Sequence, residues 1–219
     1  TDGTRANWIY GLSNDTPVGK RFAGLFAGGF GSSVAQTGWH NFLVGDYNGD
    51  GKSDILSQTG TGQFWYSISN GTPITTPNLG ASRLSLSPGS NFPSGAFSNS
   101  FHVGDFNNDG LDDVVTRLPN AGEFYDSHVW VGLTSFNGTP QMTSSKWTEW
   151  GRTINWGAEI VGDFDGDGQD DLAGIDVGRQ LVFVSLSTGT GFTSTIGFGP
   201  ITGANAFNIL GTAASGRLD

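Results

Sequence analysis

Cysteine is absent from this chain, and basic residues are scarce, with 10 against 20 acidic ones among 219 residues. Without cysteine no disulfide can cross-link the fold, which leaves bound metal as a plausible substitute. No apolar run reaches the roughly 20 residues of a membrane-spanning helix, so we expect no membrane insertion. The basic residues form no stripe that could neutralise phosphates, and we therefore expect no nucleic-acid partner.

Motifs of catalysis are also missing. The chain contains no nucleophile elbow, no HExxH zinc motif and no phosphate-binding glycine loop. Ser127 and His128 are adjacent, and neighbouring residues on a strand point to opposite faces, so they cannot form a catalytic pair there. No window is a convincing amphipathic helix, whereas the 36 glycines fit short strands joined by tight turns. We expect an all-β protein that is not an enzyme.

What the chain does contain is one acidic loop repeated three times, at residues 46–54, 105–113 and 163–171. Each copy has oxygen-bearing side chains at loop positions 1, 3, 5 and 9 and glycine at position 6. Position 7 varies freely, as expected if only its backbone carbonyl faces a metal. This is the spacing by which a tight loop surrounds Ca²⁺, which takes six to eight oxygen ligands. The predicted ligands are Asp46, Asn48, Asp50, Lys52 and Asp54, then Asp105, Asn107, Asp109, Leu111 and Asp113, then Asp163, Asp165, Asp167, Gln169 and Asp171.

Two other interpretations of these loops are weaker. Clusters of Asp, Asn and Gly also form ordinary turns, but three copies with identical acid spacing favour metal binding. Magnesium demands octahedral geometry and usually keeps several waters, so calcium fits better. An EF-hand is excluded because its closing glutamate at position 12 is replaced by Ser57, Thr116 and Gly174. Short apolar runs rich in β-formers on both sides predict a β-hairpin around each loop.

The repeat period indicates the architecture. First ligands are 59 residues apart (46 to 105) and then 58 apart (105 to 163), close to the length of a β-propeller blade. Segments 64–69, 129–134 and 181–186 follow the loops and are apolar on both faces, as expected of strands lying between neighbouring blades. Residues 8–13 are a fourth copy of this strand. Residues 211–219 resemble a degenerate loop without most of its acids.

We therefore predict one calcium-binding domain spanning 1–219, a four-bladed β-propeller closed by strands from both termini. Blades would be about 55–59 residues long, with three calcium sites and one degenerate loop. Such closure removes exposed sheet edges. The alternative is a part of a larger, seven-bladed propeller, in which the same ends would meet other blades.

The segment from Val103 to Asp113 resembles the FG-GAP/VCBS repeats of integrin α-subunit propellers, fungal integrin-like lectins and bacterial secreted proteins. The resemblance implies calcium ligation by the three loops and, through the lectins, binding of a carbohydrate or glycoprotein. The same family includes interaction or spacer modules of adhesins, toxins and extracellular enzymes, which is the alternative function. Neither the sugar nor the oligomeric state is predicted.

Composition is consistent with an extracellular calcium protein. Ten of the 20 acidic residues are predicted ligands, so three Ca²⁺ ions would bring the net charge from −10 to about −4. Extracellular calcium modules bind at roughly 10⁻⁴–10⁻³ M, which predicts a secreted or cell-surface location. No signal peptide is visible, and a start at Thr1 is expected either of a processed chain or of a sequence that has been trimmed.

Four residues are the candidate ligand contacts. Trp147, Glu149, Trp150 and Arg152 lie close together in a segment that we expect to be a connection outside the repeated pattern. Flat aromatic faces can stack on the C–H faces of sugar rings, and the two charged side chains could bind hydroxyl groups. Trp65 and Trp130, at equivalent strand positions, are instead expected in the core between blades.

Overall fold

The computed structural model describes residues 7–10, 13–16, 19–22, 26–29, 39–59, 64–69, 81–83, 101–119, 127–150, 156–193 and 196–198. Within these ranges every regular element is a β-strand, and every strand pairing is antiparallel. The predicted all-β class is confirmed. This part of the chain contains no helix of the length and hydropathy that a membrane span requires.

The N-terminal part forms two small sheets of two strands each. Strand β1 (Asn7–Tyr10) pairs with β4 (Phe26–Gly29), and β2 (Ser13–Thr16) pairs with β3 (Gly19–Phe22). The fourth copy of the repeated strand, predicted at residues 8–13, therefore begins as a strand. Its predicted complement at residues 211–219 lies outside the described residues, so closure by both termini stays a prediction.

Three four-stranded sheets follow, each with its strands side by side in sequence order. The first sheet contains β5 (Trp39–Gly45), β6 (Asp54–Thr59), β7 (Phe64–Ser67) and β8 (Ala81–Arg83). The second contains β9 (Phe101–Gly104), β10 (Asp113–Pro119), β11 (Ser127–Phe136) and β12 (Pro140–Trp150). The third contains β13 (Trp156–Gly162), β14 (Asp171–Asp176), β15 (Leu181–Ser185) and β16 (Ile196–Phe198).

Each acidic loop joins the first and second strands of its sheet. Gly45 pairs with Asp54 across the first loop, and the equivalent glycine–aspartate pairs close the other two. The hairpin predicted around each loop is therefore confirmed. The segments predicted as strands apolar on both faces are the third strands β7, β11 and β15. All six residues of the second strand β14 are buried, because that strand is covered on both faces.

The first strands of the three sheets lie next to one another. Strand β9 contacts β5 on one side and β13 on the other. The approach is close: a Cβ built on Gly45 would lie 2.9 Å from Val103 Cγ1, and one built on Gly104 would lie 2.6 Å from Val161 Cγ1. A valine of each following sheet thus covers a glycine of the sheet before it, and any larger side chain at that glycine would force the strands apart.

Two apolar cores fill the spaces on either side of the second sheet. The first lies between the first and second sheets and contains Tyr47, Leu56, Phe64, Tyr66, Phe101, Val114 and Met142. The second lies between the second and third sheets and contains Phe106, Val115, Val129, Val131, Trp150 and Leu172. Burying one large apolar side chain contributes about 1.5–3 kcal/mol, so these cores are the main attraction between sheets. Trp130 packs against the first core, as predicted, and the side chain of Trp65 is outside the described part.

An ionic cluster also joins the second sheet to the third. Glu159 of β13 is buried, and its carboxylate accepts a hydrogen bond from Nε of Arg117 in β10. The other carboxylate oxygen lies 3.2 Å from Nε2 of His102 in β9. A buried carboxylate needs such partners, because leaving its charge without them is strongly unfavourable.

Candidate metal centres

Every acidic loop turns through two residues in the left-handed backbone region, at loop positions 4 and 6. The φ values at position 4 are 73°, 55° and 82° for Gly49, Asn108 and Gly166, and at position 6 they are 77°, 83° and 90° for Gly51, Gly110 and Gly168. Glycine, and less readily asparagine, adopts this region without serious strain. The sequence reasoning explained the glycine at position 6 and missed position 4, although Gly, Asn and Gly at that position carried the same signal.

The aspartate at position 1 organises the loop. Asp46 Oδ1 accepts hydrogen bonds from the amides of Gly49 at 2.8 Å and Asp50 at 3.2 Å, and Oδ2 accepts one from Gly51 at 2.7 Å. Asp163 makes the same three contacts in the third loop, and Asp105 makes the last two in the second loop. The chain therefore folds around this carboxylate in all three copies.

Positions 3 and 5 tighten the turn in the same way. In the first loop the Asn48 side-chain oxygen accepts from the Asp50 amide at 3.0 Å, and Asp50 Oδ1 accepts from the Lys52 amide at 3.0 Å. The second Asp50 oxygen is held by Lys52 Nζ at 2.8 Å. Equivalent backbone contacts recur in the other two loops. The carboxylate at position 5 is thus directed toward position 7 in every loop.

The aspartate at position 9 connects the loop to the rest of its sheet. Asp113 Oδ2 accepts from the Phe106 amide at 3.1 Å, and Oδ1 accepts from the amide of Thr134, near the end of β11, at 2.7 Å. Asp54 and Asp171 each make the same pair of contacts, to the second residue of their loop and to a residue just after the third strand. These aspartates were predicted to close the site, and each one joins the start of its loop to the third strand.

Burial of these closing carboxylates makes their negative charge unfavourable without a cation. Desolvation by burial, together with the charges of the neighbouring loop carboxylates, raises the pKa of Asp113 to about 8 and that of Asp54 to about 6. The pKa of Asp171 is raised for the same reasons. Two backbone amides act in the opposite direction at each aspartate but do not restore the ordinary pKa. A nearby positive ion would favour the charged form.

In the third loop the acidic side chains converge. One carboxylate oxygen from each of Asp163, Asp165 and Asp171 lies within 4.8 Å of the others, and no other such group occurs among the described residues. Oxygens on opposite sides of a Ca²⁺ ion, each bound at 2.3–2.6 Å, are about 5 Å apart, so this donor set fits the ion. The first two loops have a neutral asparagine at position 3, whose oxygen is also a calcium donor. The candidate donor atoms are all oxygens, with no nitrogen or sulfur among them, and such a set is suited to a hard cation.

Comparison with known proteins agrees with the loop pattern. Residues 46–116, which include the first two loops, match the family described as FG-GAP-like repeat. A solved lectin of Agrocybe aegerita, described by its specific recognition of non-reducing terminal N-acetylglucosamine, is 15% identical to the chain, with a TM-score of 0.30. The alignment covers 88% of this chain and 62% of the lectin, so the chain spans less than two thirds of the lectin's length. No curated protein matches the chain.

Outside the acidic loops, the predicted aromatic contact patch needs correction. Trp147, Glu149 and Trp150 belong to β12, the fourth strand of the second sheet, and not to a connection. Trp150 is only 1% exposed, because its ring is enclosed in the second core, where its Nε1 donates to Ser185 Oγ. It cannot be a surface contact for a ligand.

The remaining members of the patch differ in their surroundings. Trp147 is partly buried and packs edge-on against Phe106 and Phe192. Glu149 is exposed and lies beside Lys146 Nζ and His128 Nε2. Arg152 lies outside the described residues. The surface that remains is one partly exposed indole near a small group of charges.

Position 8 of the acidic loops makes a contact that the sequence analysis did not predict. The Asp46 amide donates to Asp112 Oδ2 at 2.5 Å, and the Asp112 amide donates to the Asp46 carbonyl at 2.8 Å. Asp105 and Asp170 repeat both contacts, each at 2.8 Å. We call this two-bond contact between position 8 and position 1 of the preceding loop the inter-repeat clasp. Its signal in the sequence was the aspartate doublet at positions 8 and 9 in the second and third loops, where the first loop has Ser53.

Proposed function

We propose that the chain is a secreted or cell-surface β-propeller, stabilised by calcium, that binds a carbohydrate or glycoprotein. The observation that carries the calcium part is the convergence of Asp163, Asp165 and Asp171 oxygens within 4.8 Å, in a loop whose hydrogen-bond geometry recurs in the other two copies. The carbohydrate part rests on the match of residues 46–116 to the FG-GAP-like repeat and on the resemblance of the segment from Val103 to Asp113 to the repeats of fungal integrin-like lectins.

The propeller architecture is supported by how the sheets are placed. The second sheet has an apolar core on each side, and first strand β9 contacts the first strands of both neighbours. Blades of a propeller pack face to face in this way around a central axis. Tyr47 and Phe106, at loop position 2, are fully buried by the next sheet, whereas the equivalent Phe164 is 49% exposed. The face of the third sheet that carries Phe164 is thus exposed, whereas the equivalent faces of the first and second sheets are each covered by the next sheet.

Closure into a ring is supported by the two ends of the described row of sheets, and four blades is the smallest ring that would cover them. Val44 has the place that Val103 and Val161 have in their sheets, and it is 61% exposed. At the opposite end, nothing among the described residues lies within 4 Å of a Cβ built on Gly162. One end offers the valine of the repeated valine–glycine contact, and the other end offers the glycine. A single further repeat, supplied by the terminal segments, would complete both contacts.

Five of the nine positions in each loop would bind calcium. Ligands would come from the side chains at positions 1, 3, 5 and 9 and the backbone carbonyl at position 7. When bound, Ca²⁺ supplies two positive charges and a demand for six to eight oxygens. Asp54, Asp113 and Asp171 already join loop and third strand, so their charge state bears directly on the stability of each sheet. We assign calcium a structural role that does not require contact with the sugar.

A glycan array with purified protein tests the carbohydrate part. Selective binding of a sugar class supports the proposal, and Trp147→Ala should weaken that binding if the partly exposed indole contacts the sugar. Phe136→Ala is the matched control, because Phe136 is an aromatic residue, 43% exposed, at the far end of β11. A blank array together with a retained protein partner would support the interaction-module alternative instead.

A further inference from the structure

We propose that Asp112 and Asp170 are positioning residues for the metal loop of the preceding repeat, so that each loop is completed by the repeat that follows it. This inference rests on the proposed calcium binding. It assigns a role to position 8, which is not among the predicted ligands. The carrying observation is the inter-repeat clasp, present with the same two bonds at both junctions between described loops.

The clasp fixes the backbone of the first ligand on both sides. Asp112 binds the amide of Asp46 through its carboxylate and the carbonyl of Asp46 through its own amide. With both groups held, the direction of the Asp46 side chain is restricted to what its rotamers allow. That side chain is the one around which the loop amides converge. Position 8 of the next repeat therefore sets where the first carboxylate lies.

Steric evidence shows that the clasp needs a specific residue beside it. A Cβ built on Gly45 would lie 2.9 Å from both Cβ and Oδ2 of Asp112, and one built on Gly104 would lie 2.7 Å from Asp170 Oδ2. Side chains do not approach so closely, so only glycine leaves room for the aspartate. The glycine before each of these loops and the aspartate of the next repeat form one fitted pair.

The same aspartates also belong to a loop of their own. Asp112 precedes the predicted ligand Asp113, and its carbonyl accepts a hydrogen bond from Thr134 Oγ1 at 2.7 Å. Thr134 in turn donates its amide to Asp113. One dipeptide thus contacts the first ligand of one loop and contains the last ligand of the next. Ordering the second loop around an ion would therefore also order the first, which couples the sites in a row.

Calcium titration followed by NMR tests this with one reporter in each loop. The amides of Gly51, Gly110 and Gly168 each donate to the position-1 carboxylate of their own loop. Asp112→Ala should raise the calcium midpoint at Gly51 by about tenfold, the usual effect of losing a hydrogen bond to a charged group. The calcium midpoint at Gly168 should change by less than about twofold. The midpoint at Gly110 should change less than that at Gly51, because the clasp between Asp105 and Asp170 remains in the second loop.

Two further variants separate the possible causes. Asp112→Asn removes the charge but keeps an oxygen acceptor for the Asp46 amide. It should therefore restore most of the calcium affinity reported by Gly51 and keep the wild-type ranking of the three calcium midpoints. Ser53→Ala alters position 8 of the first loop, where no described residue precedes it in a clasp, and should leave all three midpoints within about twofold. Asp170→Ala should transfer the main effect to Gly110, which keeps the test available if Asp112→Ala does not fold.

The outcomes distinguish this inference from the function on which it rests. If the wild type responds to calcium in all three loops but the calcium midpoint at Gly51 is unchanged in Asp112→Ala, the positioning role alone is overturned. A larger effect at Gly110 than at Gly51 in that variant would also overturn it, since position 8 would then act within its own loop. No calcium-dependent change at any of the three glycines in the wild type would overturn both the positioning role and the calcium proposal.

Discussion

Trp150 Nε1 donates a hydrogen bond of 3.0 Å to Ser185 Oγ, joining the fourth strand of the second sheet to the third strand of the third sheet. Both residues are buried, and the indole ring lies against Gly174 in β14 and 4.4 Å, centroid to centroid, from the ring of Trp156. A residue that looked like a surface contact in the sequence is therefore a joint between sheets. The first two predictions follow from this joint.

Replacing Trp150 by alanine should lower the free energy of unfolding by about 3–5 kcal/mol, as expected for a fully buried tryptophan. The loss would combine a cavity in the second core with the missing indole donor. Urea denaturation followed by far-UV circular dichroism gives the value. Phe136→Ala, at an aromatic residue 43% exposed, should change stability by less than about 0.5 kcal/mol. Similar effects in the two variants would contradict the packing described for Trp150.

Gly174→Ala should destabilise the protein by about 1–3 kcal/mol through overpacking. A Cβ at this position would lie 2.3 Å from Trp150 Cζ3 and 3.1 Å from Trp156 Cε3, and two indole rings in a core cannot both move aside. Gly191→Ala is the matched control, because its nearest contact would be Thr188 Oγ1 at 3.9 Å. The melting temperature of Gly174→Ala should be lower than that of Gly191→Ala, and equal melting temperatures would refute the steric argument.

Removal of calcium should lower the melting temperature. A ligand that binds only the folded state stabilises it by RT ln(1 + [L]/Kd), about 2.7 kcal/mol for a site at a hundredfold excess. Differential scanning calorimetry in excess EDTA and in millimolar CaCl₂ measures the shift, with MgCl₂ as the control ion. Isothermal titration should give three sites. An unfolding transition that is the same in EDTA and in calcium would show that the structural role is wrong.

The third loop should bind calcium more tightly than the first two. It has carboxylates at positions 1, 3, 5 and 9, whereas position 3 is Asn48 in the first loop and Asn107 in the second. Ligand charge is one of the factors that set affinity in such loops. Asp165→Asn should weaken the third site by about tenfold, and Asn107→Asp should strengthen the second by a similar factor. Titration of the loop glycine amides assigns each change to its loop, and an unchanged third site would show that the charge of Asp165 does not set its affinity.

Closure into four blades predicts one specific proximity. If residues 211–219 supply the missing repeat, Gly211 would take the place that Gly45 and Gly104 have, beneath the side chain of Val44. The double variant Val44→Cys with Gly211→Cys should then form an intramolecular disulfide, which mass spectrometry detects without interference because the native chain has no cysteine. Val103→Cys with Gly45→Cys is the matched control at a described contact, and its disulfide has to form despite the crowding of Gly45 by Asp112.

If the control pair forms its disulfide and the Val44–Gly211 pair remains reduced or links separate chains, four-bladed closure is wrong. The larger-propeller alternative would then account for the exposed Val44 and Phe164, since further blades would cover them. Sedimentation of the oxidised double variant as a monomer would exclude links between chains.

The sequence predicted what depends on local spacing. Hairpins around the acidic loops, the all-β class and the third strands were all predicted, because loop chemistry and side-chain alternation act over a few residues. The placement of Trp147 and Trp150 was not predicted, since β12 carries no pattern that recurs from one repeat to the next. Burial of Trp150 depends on the third sheet, where Gly174 and Ser185 contact it from 24 and 35 positions away in the chain.

By itself, then, the sequence determined the three oxygen-rich loops, the strands on each side of them and their regular recurrence, because each is specified by residues close together in the chain. Only the tertiary structure decided that Asp112 and Asp170 bind the loop before their own, that Gly45 and Gly104 make room for them, and that Trp150 is core. Those contacts join residues 35 to 67 positions apart, from Trp150–Ser185 to Gly45–Asp112, and depend on how whole sheets stack.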